Sequence, residues 1–214
     1  MIMMTQEKAE IIGFLCAEGS HYDYICKYWN YDHRRNNSYF RVTRHEGIDF
    51  GNNNPLLLNR FLFLLKKCYK YERRVTGVPD ARKVAIRKKL VIRDLLTFTN
   101  YGCLKWRVPR IIKNTKNKGT KIAFLRGYYE GDGVRPDLNK KKNLIIRVRF
   151  NSKNLRGLKQ VSKLLKDLNI KTNLHFSSKI RKEYELCLYG RDARKFIELA
   201  RPLKCRGKHL AELK

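Results

Sequence analysis

Apolar positions along this chain change their period from one segment to the next, and the changes mark out a series of elements. A mostly apolar run at residues 7–17 reads as a helix, and an aromatic-rich stretch follows at 21–31. After a polar turn at 34–37, residues 39–43 alternate, with Phe40 and Val42 on one side and Tyr39, Arg41 and Thr43 on the other. That period of two predicts a half-buried strand. Pro55 then opens a strongly apolar helix over 56–68, as proline does at a first helical position. Strands are expected at 69–75 and 82–87, separated by a turn at 77–80, and a helix at 90–98. The second part of the chain repeats this order. A helix is predicted over 121–131, and a basic turn at 139–143 leads into 144–150. In that strand Leu144, Ile146, Val148 and Phe150 alternate with Ile145, Arg147 and Arg149. An amphipathic helix over 155–168 buries Leu158, Val161, Leu164, Leu165 and Leu168. Strands at 171–176 and 184–188 and a helix at 192–200 complete it. Each half reads α-β-β-α-β-β-α, which makes the chain an α+β protein built on an internal duplication. The halves are expected at 1–101 and 120–214. Residues 102–119, rich in turn formers and charge, read as a linker.

Composition sharpens this picture. The chain has 214 residues, 49 Lys and Arg against 19 Asp and Glu, and a net charge of +30. With 43% hydrophobic residues it can bury a core, so the charge is not that of a disordered basic tail. Basic residues along the whole length point to a polyanionic partner, above all nucleic acid. No apolar run approaches the roughly 18 residues of a membrane span, and the first ten residues are too polar for a signal peptide. An intracellular protein is expected. The six cysteines and five histidines are dispersed without a C-x-x-C pair, so reduced, packed thiols are expected rather than a zinc site.

Two short stretches carry the chemistry. Residues 11–19 (IIGFLCAEG) and 125–133 (LRGYYEGDG) each place two small residues one helical turn apart, Gly13 with Ala17 and Gly127 with Gly131. A carboxylate and a glycine then follow. Small residues at that spacing leave a shallow face on which a second backbone can lie. In an ordinary helix each glycine costs about 1 kcal/mol against alanine. The acids, Glu18 and Asp132, sit at helix C-termini, where the macrodipole disfavours negative charge. Twice, in equivalent places, that arrangement is best explained by a bound cation. If the two helices pack side by side in parallel, both carboxylates converge. Oxygen ligands without a nearby histidine favour Mg²⁺ over a softer metal.

These segments resemble the LAGLIDADG motif. With the 114-residue offset between Glu18 and Asp132 and the repeated element order, nearly the full chain resembles a monomeric, two-repeat LAGLIDADG homing endonuclease. The first motif departs from the family pattern at Cys16, and Glu18 replaces the usual Asp, which makes the half-sites chemically unequal. The resemblance implies two curved four-stranded antiparallel sheets forming a saddle over DNA, with the two motif helices packed at the interface. It implies Mg²⁺ (with Mn²⁺ able to substitute) held by Glu18 and Asp132, helped by the backbone carbonyls of Ala17 and Gly131. It further implies hydrolysis of one phosphodiester in each strand, leaving short 3′ overhangs, with basic side chains near the scissile phosphates. Candidates for that role are Arg44, Lys88, Lys153 and Arg191, placed at or beyond predicted strand ends. The polar strand faces, Tyr39, Arg41 and Thr43 in one half and Arg147, Arg149 and Asn151 in the other, are the candidate DNA-reading surface, since Arg and Asn can pair bidentately with guanine and adenine. The loops at 34–38 and 140–143 would extend it.

An intron RNA maturase and a DNA-binding regulator would use the same scaffold and charge without cleavage. Two intact acids favour the nuclease. A monomer in the cytoplasm of a prokaryote or in an organelle is expected, acting on a long asymmetric duplex site, with the host intron RNA as a second candidate partner.

Overall fold

The computed structural model describes residues 4–78, 80–139, 144–178, 180 and 182–205. The expected turn at 140–143 lies outside the described residues. Helix α1 (Gln6–Glu18) starts where the Thr5 hydroxyl accepts the Lys8 amide, and it is buried on all sides from Lys8 to Cys16. A helix apolar around its whole circumference belongs at the centre of a fold. It runs straight into a long hairpin of β1 (Gly19–Asp32) and β2 (Asn37–Gly51). Asn54 caps α2 (Pro55–Tyr69), and β3 (Lys83–Ile86) and α3 (Lys89–Leu96) close the first half. After a short α4 (Arg110–Asn114), α5 (Lys118–Asp132) repeats the role of α1. It is followed by β4 (Gly133–Asn139), β5 (Leu144–Ser152), α6 (Leu155–Asp167), β6 (Asn173–Ser178), β7 (Glu183–Tyr189) and α7 (Gly190–Ala200). A 3₁₀ turn, Leu203–Cys205, comes after it. The first sheet has the order β1-β2-β3 and the second β4-β5-β7-β6, all antiparallel.

The α1–α5 contact holds the halves together. A Cβ added at Gly13 would fall on the Phe124 carbonyl oxygen and lie 2.8 Å from the Tyr128 amide nitrogen. One added at Gly127 would fall on the Glu10 carbonyl oxygen and lie 3.0 Å from the Phe14 amide nitrogen. Residues 10 and 14 plus the 114-residue offset are 124 and 128, so the two glycines meet equivalent positions on opposite helices. The helices therefore run parallel about a pseudo-twofold axis, backbone against backbone. Gly131 likewise abuts Ala17, its equivalent position. At the helix ends, Gly19 and Gly133 have ordinary extended dihedrals (φ −84° and −74°), so they are not left-handed stops. What they supply is space, because a side chain at either would collide with the backbone four residues earlier, Leu15 or Tyr129.

Three expectations are corrected. Residues 69–75 form no strand, so the first sheet has three strands rather than four. Lys70 ends α2 in a left-handed conformation (φ 50°), and Tyr71 then tucks its ring inward. Its hydroxyl accepts the Arg87 amide at 2.9 Å, which pins the segment as a loop joined to β3 only by the Thr76–Lys83 bridge. Second, Phe40 and Val42 are not half-buried; they are 51% and 57% exposed. The unbroken register places them on the same face as buried Ile48 and Phe50, but the hairpin outruns its cover. Fifteen strand residues span roughly 50 Å, whereas the fifteen residues of α2 span roughly 22 Å. Third, Arg44 is inside β2 rather than at a strand end.

Residues 102–119 pack into the fold. Trp106 is buried, its ring set against Gly157 of α6 and 4.9 Å from the Tyr128 ring. The Trp106 carbonyl accepts from Asn154 (2.8 Å), and the Val108 amide donates to Gln160 (2.8 Å). One hydrophobic cluster runs through both halves and this segment.

Replacing Gly127 with alanine drives a methyl group into the α1 backbone. Overpacking of this kind costs about 1–3 kcal/mol, equivalent to a drop in Tm of about 2–4 °C per kcal/mol at this size. Thermal melts of Gly13→Ala and Gly127→Ala should both show it, with a similar loss in each because their contacts are equivalent.

Candidate metal and DNA site

The parallel helices end side by side, and their last residues open into a cleft of about 330 Å³. It is lined by Ala17, Glu18, Gly19 and Asp132 at the helix ends, by Asn151, Ser152 and Glu183 from the second sheet, by Lys153 just after β5, and by Cys103 and Trp106. Glu18 accepts a 2.5 Å hydrogen bond from the Asn52 amide at the end of β2. Asp132 is the more deeply set, beside the hydroxyl of fully buried Tyr128. Burial raises the carboxyl pKa of Glu18, and raises that of Asp132 well above its ordinary value, where the nearby Glu18 charge pushes in the same direction. Burial, helped by the Asp132 charge, also keeps the Cys16 thiol protonated.

Lys204, which sequence reasoning missed, is a further basic group beside the pair. Its ammonium donates to the carbonyls of Gly131 (2.8 Å) and Gly133 (2.9 Å), and its charge opposes the rise at Glu18 and Asp132. Its own pKa is lowered by burial, against the pull of Glu18, Glu130 and Asp132. No local pattern around residue 204 marks it, because it reaches the site only through the return of the chain after α7. Asn52 was equally silent, one of three consecutive asparagines.

The other buried acids of the helix pair are differently employed. Glu10 takes a two-pronged bond from Arg60 (3.0 and 2.8 Å) and a contact from Arg126 across the interface. Glu130 accepts the backbone amides of Leu203 and Lys204. Of these four acids, Glu18 and Asp132 face a shared space with no guanidinium among the described residues that line it. Two carboxylates, with Ala17 beside them and the Gly131 carbonyl at the helix end, are an all-oxygen set suited to a hard divalent cation.

Of the other predicted residues, Lys153 and Asn151 line this cleft. The side-chain Oδ1 of Asn151 has no hydrogen-bond partner among the described residues. Lys88 caps α3 without a side-chain bond, and Arg191 lies exposed in the first turn of α7. Arg44 sits on the hairpin arm, paired with Asp23 at 2.6 and 2.8 Å, on the face opposite Arg41. Tyr39, Arg41 and Thr43 share one face of the arm, where Tyr39 accepts from Asn30 at 2.9 Å. Arg147 and Arg149 share a face of β5 and are both held by Asp137 (2.7 and 3.0 Å), with Arg149 also 3.4 Å from Glu185. His175, Glu185 and Cys187 converge on that face, but the guanidinium of Arg149 already serves the carboxylate there and Arg147 adds a second positive charge. A further dication is disfavoured at that spot.

A pair of parallel motif helices, each carrying an acid to one cleft between two antiparallel sheets, defines the two-repeat LAGLIDADG fold. Residues 119–200 match the family model of the LAGLIDADG-like domain. Among solved structures, the chain is similar to I-DmoI in complex with DNA and Mn, with a TM-score of 0.64 and 19% identity over 92% of this chain and 97% of that one. It is also similar to mesophilic variants of the homing endonuclease I-DmoI (0.63, 19% identity, 91% and 94%). The N-terminal LAGLIDADG domain of DUF199/WhiA is similar too (0.56, 16% identity, 92% and 82%). No curated protein sequence matches the chain. Among the described residues no helix is long and apolar enough to cross a membrane.

Asp132 binds its proton more tightly folded than unfolded, so its burial subtracts stability increasingly as pH rises from its unfolded value through the raised folded one. In metal-free protein, Asp132→Asn should therefore melt higher than wild type at pH 8, by about 2–4 °C for each kcal/mol recovered. The difference should close as the buffer is made acid. Melting curves across pH 4–8 in EDTA test this, and equal Tm values at pH 8 would contradict it.

Proposed function

We propose that this protein is a sequence-specific double-strand DNA endonuclease of the homing type, hydrolysing one phosphodiester in each strand with divalent metal and leaving short 3′ overhangs. The observation that carries the reading is the convergence of Glu18 and Asp132 in one cleft, buried and without an arginine partner. The chain carries a net charge of +30, yet among the described residues no side chain forms an ion pair with either acid. A DNA-binding regulator or RNA maturase could use the same basic surface, but neither needs two carboxylates held at that cost.

In this reading Glu18, Asp132 and the carbonyls of Ala17 and Gly131 hold Mg²⁺ or Mn²⁺. When bound, the metal supplies positive charge to the scissile phosphate and lowers the pKa of the attacking water. Lys153, at the cleft wall, holds a phosphate oxygen, with Lys88 and Arg191 as further phosphate contacts. Asn52 orients Glu18 and so fixes which carboxylate lone pairs face the cleft. Tyr39, Arg41 and Thr43 on the arm, and Arg147, Arg149 and Asn151 on the second sheet, form the duplex-facing surface. Both half-sites lie in one chain, halves 1–101 and 120–214 joined by 102–119, so a monomer suffices. An intracellular setting, the cytoplasm of a prokaryote or an organelle, follows from that substrate, and intron RNA is a second possible ligand of the basic surface.

Cleavage of a randomised duplex library with Mg²⁺, with and without EDTA, tests the reading. Cut ends with one fixed overhang, lost in EDTA, are expected. Retention of DNA with no cut ends, repeated on an uninterrupted host gene, would instead point to a binder. Glu18→Gln and Asp132→Asn should each reduce double-strand cleavage by about three orders of magnitude, several kcal/mol of transition-state stabilisation, while still shifting DNA in a gel.

Asp137 restrains two guanidinium groups that the reading assigns to DNA. Asp137→Asn should release them, tightening non-specific duplex binding and steepening the dependence of log K on log salt by about one unit. Titrations between 50 and 200 mM salt would show an unchanged slope if those arginines do not meet phosphate.

A further inference from the structure

Lys204 is a basic group beside this cleft to which the nuclease reading assigns no role. Its position is built. Arg201 ends α7 in a left-handed conformation (φ 46°), Pro202 and Cys205 are buried, and the turn between them is fastened to α5. The fastening comes from Glu130, two residues before Asp132, which accepts the backbone N–H groups of both Leu203 and Lys204. From this anchored backbone the side chain reaches two carbonyls, Gly131 and Gly133, one on each side of Asp132. Its charge acts on Glu18, Glu130 and Asp132 together.

We propose that Lys204 is the resident cation of the paired-acid cleft, held on the Gly131 carbonyl in the metal-free chain, and that a divalent ion binds by displacing its ammonium. The inference rests on the metal-dependent reading above. Without metal, the two carboxylates would repel each other in a half-dry cleft, and the ammonium offsets part of that repulsion. With metal, a monovalent and a divalent cation would crowd one carbonyl oxygen and one pair of acids. The anchored turn keeps the backbone in place while the four-carbon stem of lysine allows the charged head to swing out to solvent. Metal binding is then an exchange of cations, and its apparent affinity is lowered by the ammonium it must move.

Two measurements on the whole protein test this. The first is Mn²⁺ affinity, followed by the electron paramagnetic resonance signal of free Mn²⁺, in wild type and in Lys204→Met. The variant should bind about tenfold more tightly, because no ammonium is displaced. Lys204→Gln, which keeps hydrogen-bond donors without the charge, should also bind more tightly and serves if the Met variant folds poorly. The second needs no variant: the amine of Lys204 should become several-fold more reactive toward an acetylating reagent when Mn²⁺ is added, read by peptide mass spectrometry. Equal or weaker Mn²⁺ binding in the variants, or unchanged reactivity on adding a metal that does bind, overturns the exchange alone. No Mn²⁺ binding by any of the proteins overturns the metal reading and the exchange with it.

Discussion

Two helix backbones touching without side chains between them set the terms for everything else in this molecule. At Gly13 and Gly127 the separation is too small for a methyl group, so α1 and α5 approach as closely as peptide groups allow. That closeness brings their C-termini to a common point. Helix ends expose carbonyl oxygens and the negative end of each macrodipole, and here two such ends meet with a carboxylate on each. The cleft is electronegative because of how the helices pack, before any residue within it is considered. Wider spacing would relieve the repulsion and would also separate the acids.

The buried acids around this axis are sorted by their partners. Glu10, at the start of the contact, is clamped by Arg60 and Arg126 from either half, so its charge is spent on holding the halves in register. Glu130 faces away from the cleft and binds backbone amides, which fixes the C-terminal turn. Among the described residues no arginine clamps Glu18 or Asp132, which have the amide of Asn52, the hydroxyl of Tyr128 nearby and the charge of Lys204. All four of these acids lie on the same two helices, and the difference in their use comes from which neighbouring elements reach them.

Much of this arrangement was legible in the residues. The repeated spacing of small residues and acids located both helices and both carboxylates, because close packing leaves a signature in composition. Alternation also assigned strand faces correctly: Phe40 and Val42 do share a face with Ile48 and Phe50. It could not show that the cover ends first, since periodicity reports direction and not what lies opposite. The same limit explains the missing strand at 69–75, where one side chain, Tyr71, captures the Arg87 amide and diverts the backbone from the sheet. It also explains why residues 102–119, polar in aggregate, turn out to send Trp106 into the core. Asn52 and Lys204 were illegible for a different reason. They reach the cleft by tertiary return of the chain, and a lone amide or one lysine among many in a basic chain carries no local mark.

The two acids are equivalent by pseudo-symmetry and unequal by environment, and the inequality has a chemical direction. Burial raises the pKa of Glu18 too, but a direct amide donor, Asn52, opposes the rise. Asp132 is more deeply buried and lies beside a phenol and Glu183, and the Glu18 charge raises it further. When the pair holds a single proton, that proton belongs on Asp132. In that state a divalent ion that takes both carboxylates as ligands also releases the proton from Asp132. Affinity at this site is then set as much by the second half of the molecule as by the first, although the motif presents the two carboxylates as a matched pair.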